Sequence, residues 1–336
     1  GNDHHKGKTV KPGQSIQEAL KSAKKGDTIT VEAGTYAEQL TISTSDITLV
    51  GKPGAILTPP GTFYPNPCSG LTQTGDTKEE AGICIHGQDV ILADYVSEHK
   101  RFVSVGSPIK NVEIRGFEVR GFKGVNIAVL GAKETHIHHN RLVDGGQYGF
   151  LTVGSTKTLA EHNTITASSL LFIAMCMDDQ ASAQFSDNEL SGYFIALCTQ
   201  TPKGLVKKNT VSNCCIGPFV DPGIVGARVL ENTIRDRNPA CPPGPNGAGA
   251  GIVLFGAQQT VVKGNKISNI KNEGNGVGIF VSDVTDANGV VTVAATGNVV
   301  KGNVLKNNDF DILSFAAGVN DITRNDCVTE APGDYC

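Results

Sequence analysis

The stretch Ile137-His138-His139-Asn140-Arg141-Leu142 places an asparagine between an apolar residue three positions before it and another two positions after it. An earlier copy has Phe117 in the asparagine place. Later copies follow, most of them about 22 residues apart, with the asparagine at Asn163, Asn188, Asn209, Asn232, Asn265, Asn303 and Asn325. A unit of this length that recurs along a chain indicates a fold built from stacked coils.

A second series of short apolar segments follows the asparagines, as in Phe150-Leu151-Thr152 and Ile173-Ala174-Met175. Short β segments cannot bury an apolar face singly, but they can when successive coils stack. The pattern therefore predicts a β-solenoid. A stacked asparagine suits the turn between strands because it tolerates left-handed backbone geometry and its amide can hydrogen-bond the coils above and below.

The N-terminal segment predicts one short helix. Ser15 and Glu18 form a capping box, and Gly26 follows the last apolar position of the helix. One face of this helix is apolar, and it consists of Ile16, Ala19, Leu20 and Ala23. We expect the helix to plug the open end of the first coil.

This opening, followed by coils with an asparagine ladder, resembles the right-handed parallel β-helix proteins of the pectin-lyase-like superfamily over nearly the whole chain. The resemblance implies an all-β, single-domain right-handed parallel β-helix with an N-terminal capping helix. Within residues 1–336 we expect the cap and first coils at 1–59 and an insertion at 60–109. Regular coils would follow at 110–336, with loops at 235–250 and 283–295. The superfamily contains lyases, hydrolases, epimerases, esterases and adhesins, so it implies function only loosely.

Composition restricts the classes of protein and partner. The 336 residues include 40 Gly and 15 Pro but no Trp, and only 18% are charged, which argues against long helices and against disorder. The net charge of −4 supplies no strong field for nucleic acid or an anionic membrane. No apolar run approaches the roughly 18 residues that a membrane span needs. We therefore predict neither a nucleic-acid partner nor a membrane partner.

Nine cysteines are many for a cytosolic chain and indicate a secreted protein with three or four disulfides. Local spacing predicts Cys68 with Cys84, Cys327 with Cys336, and Cys241 with Cys214 or Cys215. Cys176 and Cys198 should stack on adjacent coils. Parallel side chains about 4.8 Å apart are poorly placed for a disulfide, so buried thiols are expected there. The start at Gly1-Asn2-Asp3 has no basic and apolar leader pattern, so we expect that any signal peptide has been removed or never existed.

Strand alternation predicts an apolar outer wall. If Ile127, Ile173 and their equivalents point inward, the residues between them point outward. Most of those outward residues are apolar, and they include Ala128, Leu151, Val153, Phe219, Val253, Phe255 and Phe280. A bare apolar surface of this size is unusual on a soluble monomer. We expect the 60–109 insertion, another subunit or an apolar ligand to cover it.

Carboxylates in this wall are the candidate catalytic groups. Asp221 lies among apolar positions, where a raised pKa would suit a general acid. Asp178 and Asp179 close the equivalent strand two coils earlier, and Gln200 falls on the coil between them. All three aspartates are alternatively explained as turn residues that accept backbone hydrogen bonds.

Histidines offer two further hypotheses. His86 could carry a proton over the wall, or it could be a strand residue beside a disulfide. A second group, consisting of His136, His138, His139 and His162, lies at the asparagine turn, where other coils carry charged residues. No cysteine or carboxylate completes a ligand set there at the usual spacing, so a solvated edge is the preferred interpretation. We predict no metal site and no cofactor.

Motifs of the best-known superfamily enzymes are missing. The chain lacks Trp-Ile-Asp-His and Arg-x-Pro-x-x-Arg, as in calcium-dependent pectate lyases, and Gly-His-Gly with Arg-Ile-Lys, as in polygalacturonases. Asp221-Pro222 is similar to the start of the Asp-Pro-His motif of mannuronan epimerases, but Gly223 replaces the histidine.

The leading hypothesis is a secreted β-helix enzyme that acts on a carbohydrate as a lyase, hydrolase or epimerase through carboxylate acid/base chemistry. Its predicted catalytic residues are Asp178, Asp179, Asp221 and His86. Its predicted substrate contacts are Gln200, Phe219, Phe255, Phe280, Leu151 and Val153. One alternative is an enzyme or binding protein for a small apolar metabolite held against the wall. Another is a structural or adhesive homo-oligomer assembled through it.

Overall fold

The structure is a computed structural model that describes residues 7–245, 247–328 and 334–336. The chain is an all-β, right-handed parallel β-helix, as predicted. Its contacts divide it into two compact units. The first unit comprises Gly1–Leu171 with Asp178–Gln180, and the second comprises Phe172–Met177 with Ala181–Cys336. Within the described ranges, no helix has the length and apolar character that crossing a bilayer requires.

The first unit contains one helix and twenty short strands. They are β1 (Gly7–Val10), α1 (Ile16–Lys21), β2 (Thr28–Val31), β3 (Gly34–Ala37), β4 (Leu40–Ile42), β5 (Thr48–Gly51), β6 (Ala55–Thr58), β7 (Gln73–Thr74), β8 (Thr77–Lys78), β9 (Ala81–His86), β10 (Gln88–Leu92), β11 (Phe102–Ser107), β12 (Ile109–Lys110), β13 (Glu113–Arg115), β14 (Glu118–Arg120), β15 (Val125–Leu130), β16 (Ala132–Lys133), β17 (His136–His138), β18 (Arg141–Val143), β19 (Tyr148–Val153) and β20 (Leu159–Glu161). Strand β21 (Thr164–Asp178) follows.

The second unit continues with short strands of the same kind. They are β22 (Gln184–Ser186), β23 (Glu189–Thr199), β24 (Leu205–Lys207), β25 (Thr210–Cys214), β26 (Ile216–Val220), β27 (Arg228–Leu230), β28 (Thr233–Arg237), β29 (Ala250–Phe255), β30 (Val261–Lys263), β31 (Lys266–Ser268), β32 (Val277–Ser282), β33 (Val284–Thr285), β34 (Val291–Val293), β35 (Val299–Lys301), β36 (Val304–Lys306), β37 (Phe310–Phe315), β38 (Asp321–Ile322) and β39 (Asp326–Cys327).

Equivalent residues of successive coils lie beside one another in parallel ladders. In the first unit Ile137 of β17 is in register with Ile114 of β13 and with Ala160 of β20. In the second unit Ile279 of β32 is in register with Ile252 of β29. These inward apolar side chains are buried, and they form the core that single coils could not provide.

The predicted asparagine ladder is present in both units. In the first unit the Asn140 backbone N–H and side-chain amide both donate to Asn163 Oδ1 at 3.1 Å. In the second unit the same pattern joins Asn188, Asn209, Asn232, Asn265, Asn303 and Asn325 in order. Each side chain therefore satisfies a backbone N–H of a neighbouring coil, which lets the turn be buried.

The predicted left-handed geometry belongs to a different residue. The positive φ falls on the residue just before each asparagine, for example 53° at His139 and 55° at Glu231. The prediction was wrong on this point, because none of the ladder asparagines is among the described residues of positive φ. No β-branched residue occupies the preceding position, in agreement with the steric penalty for such side chains at positive φ.

The N-terminal helix is shorter than the sequence pattern suggested and is capped differently. It spans Ile16–Lys21, and the Ser15 side chain accepts a hydrogen bond from the Glu18 backbone N–H. The backbone N–H of Ile16, at the start of the helix, donates to the Glu38 carboxylate at 2.8 Å. Glu18 instead pairs with Lys21. That the helix plugs the coil stays a prediction.

Disulfides confirm three predicted pairings and correct a fourth assignment. Cys68–Cys84, Cys327–Cys336 and Cys215–Cys241 are bonded, which resolves the choice that the sequence left open for Cys241. The pair Cys176–Cys198, predicted as buried thiols, is also bonded. Its Cα atoms lie 4.4 Å apart, within the range that a disulfide spans, so stacked strands do admit this bond. Cys214 is the buried free thiol, and burial raises its pKa to about 12.

A hairpin covers part of the apolar wall in the first unit. Strands β10 and β11 pair antiparallel, and their Val90 and Val105 side chains lie against Gly131. A methyl group at Gly131 would come within 2.6 Å of Val90, so this approach needs glycine. Leu151 and Val153, predicted to contact substrate, are fully buried, and the structure assigns them to the core instead.

Candidate functional site

Five side chains of the first unit form a polar group at the end of β21, which we name the Asp178 cluster: Glu98, His99, Arg101, Tyr148 and Asp178. His99 Nε2 lies 3.0 Å from Asp178 Oδ2, and His99 Nδ1 lies 2.9 Å from the Tyr148 hydroxyl. His99 and Tyr148 are fully buried, and Asp178 is only 7% exposed. A neutral imidazole satisfies both contacts if Nε2 donates to Asp178 and Nδ1 accepts from Tyr148.

Arg101 connects the cluster to solvent. Its Nη1 lies 3.4 Å from Asp178 Oδ2, and its Nη2 donates to Glu98 Oε2 at 2.8 Å. The Arg101 side chain is 43% exposed, whereas that of His99 is fully buried. The cluster therefore has a buried end at Tyr148 and a solvent-facing end at the guanidinium.

The two oxygens of Asp178 have different surroundings. His99 and Arg101 both contact Oδ2. Across the described ranges, no side chain or backbone group hydrogen-bonds Oδ1. One oxygen is thus held by two donors, and the other is available to a donor from outside the protein.

Two elements bring these side chains together. Asp178 is the last residue of β21, and Tyr148 is the first residue of β19. The segment that carries His99 and Arg101 is fixed by two backbone hydrogen bonds, from Lys100 to Leu71 at 2.8 Å and from Ala93 to Arg101 at 2.9 Å. His99 lies between β10 and β11, which pair antiparallel outside the parallel ladders, so no repeat position or motif pointed to it.

Asp179 is adjacent in sequence, but its side chain is engaged within the fold. Its Oδ1 accepts from the Thr152 hydroxyl at 2.7 Å and from the Ser155 backbone N–H at 2.9 Å, and its Oδ2 accepts from the Thr158 hydroxyl at 2.6 Å. Burial raises the pKa of Asp179 to about 6, and these hydrogen bonds limit the rise. The contacts favour the turn-residue interpretation of Asp179 over a direct catalytic role.

The raised pKa of Asp179 predicts a specific pH dependence of stability. An aspartate has a pKa of about 3.9 when unfolded, so the folded protein binds the proton more tightly, and its contribution is complete below about pH 3.9. This contribution is lost as the pH rises through about 6. Relative to Asp179→Asn, we expect the free energy of unfolding of the native chain to fall by up to about 3 kcal/mol between pH 4 and pH 7. Urea titrations across this range measure it.

Asp76→Asn is the matched control for this measurement because Asp76 is exposed in a turn of the same unit. Its unfolding free energy should follow that of the native chain at every pH. Parallel curves for the native chain and Asp179→Asn would contradict the prediction.

The other predicted residues lie apart from the Asp178 cluster. His86 ends β9, and its Nδ1 lies 2.9 Å from the carbonyl oxygen of Gly87. It lines a concavity of about 460 Å³ with Asp89 and Leu92. None of the hydrogen bonds found in the described ranges joins His86 to Asp178.

Gln200 and Asp221 belong to the second unit, where the Gln200 amide donates to Asp221 Oδ2. The predicted aromatic contacts form edge-to-face pairs, with ring centroids 6.2 Å apart for Phe219 and Phe255. Phe280 pairs in the same way with Phe315, which is 67% exposed. The catalytic role of Asp221 and the substrate contacts of Gln200, Phe219, Phe255 and Phe280 stay predictions.

Two histidines of the group at the asparagine turn are paired with glutamates of neighbouring coils. His136 Nε2 lies 2.9 Å from Glu161 Oε1, and His138 Nε2 lies 2.9 Å from Glu113 Oε1. Burial lowers the pKa of His138, although Glu113 opposes the shift. Each of these two imidazoles has a carboxylate partner.

Comparisons with known proteins agree with the fold. In the solved tailspike protein of E. coli bacteriophage HK620, bound to a pentasaccharide, 63% of that chain aligns with 96% of this one at 11% identity and a TM-score of 0.57. A mutant of that tailspike gives a TM-score of 0.59 at 12% identity, covering 93% of this chain and 62% of its own. The GH136 lacto-N-biosidase from Eubacterium ramulus gives 0.51 at 11% identity, covering 96% and 68%.

The present chain thus spans less than two thirds of the tailspike's length. No protein of curated function matches this sequence. A family model described as "Right handed beta helix region" matches residues 173–336. A second model matches residues 1–229, more than half of the sequence, and the chain therefore belongs to the family described as "Protein of unknown function (DUF1565)".

Proposed function

We propose that this protein is a carbohydrate-active β-helix enzyme in which Asp178 accepts a proton during the reaction. The observation that carries the proposal is the asymmetry of the Asp178 carboxylate, which is anchored through Oδ2 and open at Oδ1. Two fold neighbours support the substrate class, one solved with a pentasaccharide and one titled as a lacto-N-biosidase.

The surrounding residues suit a proton acceptor. His99 and Arg101 contact the same oxygen, so they orient the carboxylate without occupying Oδ1. Tyr148 in turn fixes the ring of His99, which makes His99 and Tyr148 positioning residues. Burial excludes water from this side and strengthens each polar contact. A carboxylate held in this way can activate water in a hydrolase or remove a proton from carbon in a lyase or epimerase.

Several finer predictions belong to the same proposal. Asp221, with Gln200 bound to it, is a further carboxylate to test in the second unit.

The four disulfides support an extracellular location. The apolar-metabolite hypothesis is less well supported, because Leu151 and Val153 are buried. The ring of Phe315 is exposed, and we keep the proposal that it contributes to a contact between copies of this chain.

The experiment that tests the function is an activity screen of the purified chain. Neutral and uronic-acid polysaccharides are incubated with the protein, and reducing ends, unsaturated products and epimer ratios are measured. We expect turnover of at least one polysaccharide. Turnover of none of them, by a chain with all four disulfides formed, would contradict the proposal.

A further inference from the structure

A groove of about 770 Å³ lies in the first unit, and none of the residues of the Asp178 cluster lines it. We name it the α1 groove. It is formed by three segments: residues 17–21 on α1, residues 37–47 around β4, and residues 60–67. This volume is in the range of known ligand sites.

Hydrogen bonds hold the three segments in place. The Gln17 amide accepts from the Thr41 backbone N–H at 2.7 Å and donates to the Thr41 carbonyl oxygen at 3.2 Å, as a neighbouring strand would. Gln39 Oε1 accepts from the Tyr64 backbone N–H at 3.0 Å. The Asn66 amide donates to Thr41 Oγ1 at 3.1 Å. The groove is therefore formed before any ligand arrives.

The same amides retain donors for a ligand. An amide nitrogen carries two protons, and Gln17, Gln39 and Asn66 each use one of them within the described part of the chain. Three hydroxyl groups that line the groove can also bind a ligand. Ser43, Thr44 and Thr62 make no side-chain hydrogen bond to any residue that the structure describes.

The charged residues of the groove are already paired, and one aromatic ring is open to solvent. Lys21 pairs with Glu18 at 2.7 Å, and Glu38 accepts hydrogen bonds at the start of α1. Tyr64 is 73% exposed although its backbone is fixed. A ring presented in this way offers a flat apolar face beside neutral donors.

We propose that the α1 groove binds a neutral oligosaccharide, with a sugar ring on Tyr64 and sugar hydroxyls on the amides of Gln17, Gln39 and Asn66. Sugars combine apolar ring faces with many neutral hydroxyl groups, which matches a groove of amides, hydroxyls and one aromatic platform. An anionic sugar would lack a free cation here because Lys21 is paired. The site stands apart from the Asp178 cluster and does not depend on any reaction there.

The test is a titration of the ¹⁵N-labelled full chain with maltopentaose, cellopentaose, N-acetylchitopentaose and, as a charged comparator, trigalacturonate. We expect a neutral pentasaccharide to shift the side-chain amide signals of Gln17, Gln39 and Asn66. Tyr64→Ala should weaken this binding by about tenfold or more, the loss of one stacking contact. Tyr64→Phe keeps the ring and should bind within about threefold of the native chain.

Two further variants separate this site from other effects. Tyr95→Ala removes a tyrosine outside the groove and should leave binding unchanged. Asp178→Asn should also bind normally, so the result is independent of whether the chain is an enzyme. The proposal is overturned if no neutral pentasaccharide binds at about 5 mM, if only trigalacturonate binds, or if Tyr64→Ala binds like the native chain.

Discussion

Asp178→Asn is expected to lower kcat by about 100-fold or more on the polysaccharide that the screen identifies. Asparagine has the shape of aspartate and keeps a carbonyl oxygen for His99 and Arg101, so the fold should be retained. What it lacks is a basic oxygen at the position of Oδ1. Because the change removes proton acceptance and preserves the contacts, KM should change far less than kcat. Initial-rate kinetics with both proteins measure this difference.

Asp76→Asn supplies the matched control, since it makes the same chemical change at an exposed turn of the same unit. Its kcat should equal that of the native chain. If Asp178→Asn kept its kcat within about threefold, Asp178 would not be the proton acceptor. In that case Asp221 of the second unit would become the first carboxylate to test.

Asn232→Ala is expected to lower the free energy of unfolding by about 3–5 kcal/mol. Asn232 is fully buried, and its Oδ1 accepts from the Asn209 backbone N–H at 2.9 Å. Its amide donates to the Val206 carbonyl oxygen at 3.1 Å and to Asn265 Oδ1 at 3.0 Å. Alanine would leave the buried Asn209 N–H without its acceptor and would remove one donor from the buried Val206 carbonyl, and each such loss costs about 1–3 kcal/mol. Urea titration, followed by circular dichroism, measures the loss.

Asn288→Ala tests whether this effect is specific to the ladder. Asn288 lies at the exposed tip of the β33–β34 hairpin in the same unit, so its substitution should change stability by less than about 0.5 kcal/mol. Equal losses for the two variants would mean that the ladder asparagines contribute no more than a surface residue.

These two effects differ in how far the sequence predicted them. The ladder was readable because Asn232 and its equivalents recur in the same setting on the successive coils from Asn140 onward, and stacking converts such a period into direct contact. Two disulfides were predictable from local spacing, since short separations such as that of Cys327 and Cys336 leave few other partners, and the partner of Cys241 was narrowed to two adjacent cysteines. The wrong assignment of Cys176 and Cys198 came from underestimating how closely stacked strands bring two sulfur atoms.

The Asp178 cluster was only half predictable. Asp178 attracted attention as a carboxylate at the end of an apolar strand, but His99 is 79 residues away in sequence. It lies in a segment without a repeat, so no periodic position fixes where its side chain goes. The α1 groove was missed for the same reason, because its lining residues come from three separate segments of the chain.

The amino-acid sequence by itself determined that the chain winds into a parallel β-helix, since a regular period of asparagines and apolar residues can be satisfied only by stacking coils. It also determined two of the four disulfide pairings and narrowed the partner of Cys241 to Cys214 or Cys215. Only the tertiary structure decided which residues share the Asp178 cluster, which oxygen of Asp178 stays open and which residue takes the left-handed turn. The physical reason is that periodicity specifies contacts between equivalent positions, whereas contacts with a non-repeating segment depend on how that segment folds back onto the coils.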